Sequence, residues 1–153
     1  MSGNVVAIAT SIAGLQIPGI DIRDLDALPT SVNAADCPLM TPNPSGPFMS
    51  GLQFERQSFG PGYRQYTLRY TLSYVLFYAP IGESTRLYDV YQDMVDAVMR
   101  VVVAFAEMET IGGATEILLR DVPHLEVVTD TTGKGFHGAI FALDVLEICR
   151  QGQ

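Results

Sequence analysis

Polar and apolar positions alternate along the stretch from Tyr66 to Tyr78. Tyr66, Leu68, Tyr70, Leu72, Tyr74, Leu76 and Tyr78 share one side of an extended chain, because successive strand side chains point to opposite faces. The other side reads Thr67, Arg69, Thr71 and Ser73, then Val75 and Phe77, so the strand is expected to start in solvent and finish inside the domain. At about 3.3 Å per residue it would run roughly 40 Å, well past the usual strand of about five or six residues, and part of it should project from the body. A projecting ribbon with aromatics on one face invites a partner chain. Tyr66, Tyr70 and Tyr74 are therefore candidate subunit-interface residues.

A different period governs residues 85–108. Leu87, Tyr91, Met94, Val98, Val101, Phe105 and Met108 recur at alternating four and three residues, with Asp89, Asp93, Asp96, Arg100 and Glu107 on the other side, which predicts a long amphipathic helix. Ser84 is a candidate N-cap, the early aspartates suit the positive end of the helix dipole, and Gly112-Gly113 stops the run. Its second half, Val101 to Ala106, is apolar nearly all round, so more than one partner must cover it. Val5, Ile8, Ala9 and Ile12 predict a short helix over residues 4–14, ended by Gly14.

Shorter patterns fill in the rest. Ile17 to Ile22 reads as a brief strand, and Leu52 to Phe59 as a strand joined through Gly60-Pro61-Gly62 to the long one in a hairpin. Thr115 to Val122 and Leu125 to Thr129 are strand candidates, and Thr132-Gly133-Lys134-Gly135 makes a turn into a last strand over Phe136 to Ile148. That strand is apolar on both faces from Ala139 to Leu146, which predicts a place in the middle of a sheet. Asp144 is the charge inside the run and is expected to pair with an arginine or mark a subunit contact.

Between Leu28 and Phe48 lie five of the nine prolines. Proline donates no ladder hydrogen bond and breaks helix interiors, so residues 28–48 are predicted to be an extended arm within a single domain spanning residues 1–153. Leu39, Met40 and Phe48, with Val32, punctuate it with apolar side chains, as expected of an arm lying along its own surface or a neighbour's. Leu39, Met40 and Phe48 join the candidate interface residues.

The formal charge of −8, with eight arginines, a single lysine at Lys134 and no basic run, argues against a protein that grips nucleic acid. Cys37 and Cys149 stand in neither a metal-type nor a redox-type spacing and read as ordinary buried thiols. No basic residue precedes Arg23, which argues against an export signal, and no apolar run approaches the ~20 residues that span a bilayer, so a soluble, intracellular protein with no membrane partner is expected.

Catalytic chemistry finds little support. His124 and His137 have no metal-ligand spacing, no Gly-x-Ser-x-Gly elbow occurs, and the Lys134 turn lacks the first glycine and the final Ser or Thr of a phosphate loop. Asp89, Asp93 and Asp96 share a helix face and could hold a divalent cation, but a solvated face explains them equally well. No enzyme, no metal and no cofactor is the expectation. The rival reading is a small α+β enzyme or ligand-binding domain with a pocket near Tyr74, Tyr78, Asp144 or His137.

The order of elements carries a resemblance. A short N-terminal helix, an arm with Leu28-Pro29 and Asp36-Cys37-Pro38-Leu39, a hairpin ending in Tyr66 to Tyr78, one long helix, and a Gly133 to Gly135 turn into Gly138-Ala139-Ile140-Phe141-Ala142-Leu143 resemble the tail terminator and related minor tail proteins of long-tailed bacteriophages. The resemblance implies an α+β protomer with a mixed, mainly antiparallel sheet, a long β-hairpin, one long packing helix and a short N-terminal helix. It also implies a structural virion protein of the tail or neck: a homo-oligomeric ring, typically a hexamer, that caps the head-proximal end of the tail tube, docks to the head and lets DNA pass. Its partners would be the tail tube protein and a head or neck protein, with no catalytic residues to carry over. A head-tail connector or a tail tube component is the neighbouring alternative. An acidic lining would let the genome slide, and Asp89, Asp93 and Asp96 are candidate channel-facing residues.

Overall fold

A computed structural model describes residues 5–58, 64–82, 87–108, 116–120 and 125–151. The elements run α1 (Val5–Ala13), β1 (Asp21–Ile22), β2 (Leu39–Pro42), β3 (Met49–Ser58), β4 (Arg64–Pro80), α2 (Leu87–Ala106), β5 (Glu116–Leu119), β6 (Leu125–Thr129) and β7 (Gly135–Gln151), with short 3₁₀ turns at Leu25–Ala27 and Ala34–Asp36. The fold is α+β. Seven strands form one mixed sheet in the order β1-β2-β4-β7-β5, with β3 also paired to β4 and β6 to β7. Among the described residues β1 and β2 pair in parallel, and the other pairs are antiparallel.

β4 and β7 are the spine. They pair from Arg64↔Gln151 to Pro80↔Phe136, with one bulge between Phe77 and Ala79. At the bulge, a Cβ on Gly138 would collide with the Leu76 carbonyl and meet Val128 Cγ2 at 2.9 Å. Only glycine lets the two backbones approach so closely.

The tyrosine and leucine stripe of β4 faces the helices. Tyr70, Leu72, Tyr74 and Leu76 are buried with Phe141, Leu143 and Val145 of β7, under Ile8 and Ile12 of α1 and Val98, Val101 and Phe105 of α2. The opposite face of β4 runs from exposed Arg69 to buried Val75 and Phe77, in the order the sequence pattern predicts. α2 buries Met94, Ala97, Val98, Val101 and Phe105, but Tyr91, expected in the core, is 52% exposed. It lies on the margin of the buried stripe toward the start of the helix, where a phenol tolerates water. Ser84 and the Gly112-Gly113 stop lie outside the described residues.

One expectation needs correction. Part of the proline-rich segment 28–48 is woven into the domain: Leu39–Pro42 is a fully buried strand, and Asn33 to Cys37 forms a 3₁₀ turn with its flanks. Pro38 stands just before β2 and Pro42 at its last position, beyond the two-residue pairing with β1, so neither removes a donor that the ladder requires. β7 lies inside the sheet between β4 and β5, the place its apolar run predicts. Its odd positions are buried, but Ile140 on the other face is 39% exposed. The arm covers only one end of that face, where Val32 and Leu39 close a small second core with Val75, Phe77, Val128 and Phe136.

Asp130 holds the arm there. Its buried carboxylate accepts from Val32 N at 3.1 Å, Thr132 N at 2.9 Å and Lys134 N at 3.0 Å. One acid thus caps the β6–β7 turn and anchors a segment far away in sequence. Burial alone would raise its pKa, but the hydrogen bonds from Thr132, Val32 and Lys134 outweigh burial and hold it below the ordinary 3.8.

Candidate subunit interface

The paired β3 and β4 form a ribbon whose free edge is β3. Met49↔Leu72 and Ser50↔Thr71 lead into a bulge, after which Gln53↔Arg69 through Ser58↔Arg64 continue the ladder. Gly51 supplies the bulge with φ +66, a conformation side chains resist. The extra residue changes the parity of the strand, so that Met49 before the bulge and Phe54 after it both share the face of Leu72 and Leu68. Every side chain from Met49 to Arg56 is exposed, with Leu52 at 57% and Phe54 at 60%. Phe54 stacks at 5.5 Å on Tyr66, and the Arg56 guanidinium lies 5.8 Å from the same ring. Among the described residues, the outer edge of β3 has no strand beside it.

The candidate interface residues divide. Tyr66 and Phe48 are half-buried, and Tyr66 belongs to the exposed ribbon cluster. Leu39, Met40, Tyr70 and Tyr74 are packed inside the single chain, at no more than 3% exposure, and leave no side-chain surface for a neighbour. The stripe was legible as a pattern, but most of it serves the chain's own core because two helices lie across it. Leu52 and Phe54 carry the exposed apolar surface that the tyrosines were expected to supply. Their alternation with Gln53 and Glu55 was the available signal.

Tyr74 packs edge-on against Phe48 at 5.5 Å and near Phe105 at 6.4 Å, and its hydroxyl is buried without a hydrogen-bond partner. Burial, and then the charge of Asp24, push its phenol far above the ordinary range. Tyr70 differs: its hydroxyl donates to Glu147 Oε2 at 2.6 Å, in a contact buried on the helix side of the sheet. Sequence reasoning singled out Asp144 and passed over Glu147, which is the more deeply buried.

Asp144 has the arginine expected of it. Arg120 Nε lies 3.1 Å from Oδ1, and Thr71 Oγ1 donates to the same oxygen at 2.8 Å. This pair stands on the open face of the sheet, in a shallow hollow of about 230 Å3 that also includes Arg69, Gln53 and Glu116. Tyr74 points to the opposite side, so the sheet separates two of the residues suggested for a ligand pocket. His137 is buried in β7, and Tyr78 is half-buried.

Asp93 and Asp96 are exposed on α2, and Asp96 Oδ2 lies 3.5 Å from Arg100 Nε; the Asp89 side chain lies outside the described set. Burial raises the Tyr78 phenol pKa, as does the negative charge of Asp93 and Asp96, against the lowering effect of Arg100. Among the described residues, no three His, Cys, Asp or Glu side chains gather as a metal site would require. Cys37 is half-buried and free, its thiol pushed up to about 11 by burial first and then by Asp36, with Lys134 opposing. His124 lies outside the described residues, as does the Cys149 side chain.

The second half of α2, where the composition calls for more than one covering partner, is covered by the chain's own sheet on one side only. Met99 and Val103 are 51% and 49% exposed on the side away from the sheet. The geometry defines an α+β fold with an exposed ribbon edge and a partly bare helix face. Neither a protein-family model nor a curated protein sequence matches the chain.

Proposed function

We propose that this chain is a structural virion protein of the tail or neck of a long-tailed phage, working through contacts between copies. In the form its resemblance to tail terminators implies, the copies close a ring of six that caps the head-proximal end of the tail tube and joins it to the head. The ribbon carries the proposal: β3 exposes every side chain from Met49 to Arg56, apolar Leu52 and Phe54 included, along an edge that has no strand beside it among the described residues. Such an edge is hazardous on a free monomer and useful in an assembly.

The acidic charge of −8 suits a conduit through which DNA slides, since short-range repulsion keeps phosphates from sticking. Asp93 and Asp96, exposed on α2, remain candidates for its lining. Among the described residues no helix is long and apolar enough to cross a membrane. Electron microscopy of the purified protein tests the proposal: closed rings with a central hole are expected, and compact particles without one, binding a small molecule saturably, contradict it.

A further inference from the structure

Gln16, Ile17 and Pro18 pass beside α2, held by the Arg100 guanidinium, which donates to the Pro18 carbonyl. Between this segment and the helix lies a groove of about 390 Å3, whose apolar lining comes from Ile17, Pro18, Met99, Val103 and Ala104. Asp96 and Glu107 stand with it, and Arg100 is occupied by Asp96 and the Pro18 carbonyl. Glu107 is exposed, so the rim offers a carboxylate beside an apolar floor. Met99 and Val103 lie on the side of α2 opposite Met94, Val101 and Phe105, so the groove opens away from the sheet.

The ribbon presents the complement. Phe54 and Leu52 are exposed apolar side chains, and Arg56, two residues beyond Phe54 on the same strand face, is an exposed cation. An apolar plug followed by a positive charge matches an apolar groove edged by a negative one. Plug and groove lie on different parts of the molecule, which is the condition for a head-to-tail contact that closes into a ring or extends into a filament.

We propose that Phe54 and Leu52 of one copy seat in the groove of Ile17, Pro18, Met99 and Val103 of the next copy, with Arg56 facing Glu107. The inference rests on the assembly reading and names its contact. The occupant is a second copy because one exposed strand of this chain carries both the apolar side chains that fit the groove's floor and the positive charge that complements its acidic rim.

The test uses the full chain and four variants, Phe54→Ala, Arg56→Glu, Glu107→Arg and the double exchange Arg56→Glu with Glu107→Arg, followed by sedimentation velocity over a concentration series. All three sites are exposed, and circular dichroism melting curves that match the parent show that folding is intact. Phe54→Ala is expected to weaken association about thirtyfold, as for an apolar anchor at the centre of an interface. Each single charge reversal should weaken it about tenfold, and the double exchange should recover most of that loss. Rings that persist unchanged in Phe54→Ala would overturn this contact while leaving the assembly reading in place. A double exchange no better than the singles would overturn the charge pairing, and a parent chain that never associates would overturn contact and assembly together.

Discussion

Tyr74 and Tyr70 are neighbours on one strand face with opposite needs. Tyr74 buries a hydroxyl that finds no partner, so its polar atom is a liability in an apolar site. Tyr74→Phe is expected to raise unfolding stability by about 1 kcal/mol, measured by urea denaturation. Tyr70 donates to the buried Glu147, and Tyr70→Phe should cost about 1–3 kcal/mol in the same measurement, because it takes a hydrogen bond from a buried carboxyl group. Asp130 makes the acid limb of stability. Its native pKa lies below the ordinary 3.8, so its contribution is complete above that value and is lost as pH falls through it toward the native value. Thermal melts should therefore show a loss of stability below about pH 4 that is smaller in Asp130→Asn.

At the scale of elements, legibility followed the range of the interactions. α1, α2, β4 and β6 were predicted nearly to their ends because their periodicity is local and one face of each meets the core. β2 was invisible: in four residues with a proline at the end there is no period to read, and its burial depends on β4 and β1. Glu147 and Asp130 were missed for the same reason, since Tyr70 lies 77 positions from one and Val32 lies 98 from the other. Asp130 did leave a local clue in Asp-Thr-Thr-Gly, the composition of an Asx turn. The candidate interface was half legible, because the alternation showed which residues share a face and said nothing of which faces the helices cover. Gly138 offers an element-scale test of the β4–β7 spine. Gly138→Ala must push Leu76 away where the strands bulge, so a loss of about 3 kcal/mol or more in denaturant unfolding is expected, against a smaller loss of about 1 kcal/mol for Gly133→Asn, which has open space at φ +87 and meets backbone strain alone.

For the whole molecule, one sheet face is covered by α1 and α2 and the other only in part by the arm, which leaves Leu118 and Ile140 exposed there in addition to the ribbon and the outer side of α2. In the proposed assembly, the charge of −8 would hold copies apart until a specific contact between their apolar edges overcame it. Native mass spectrometry across a concentration series asks directly whether copies of this chain recognise one another. A single dominant closed oligomer, six copies in the form proposed, is the predicted result, and a monomer at every concentration would contradict the account.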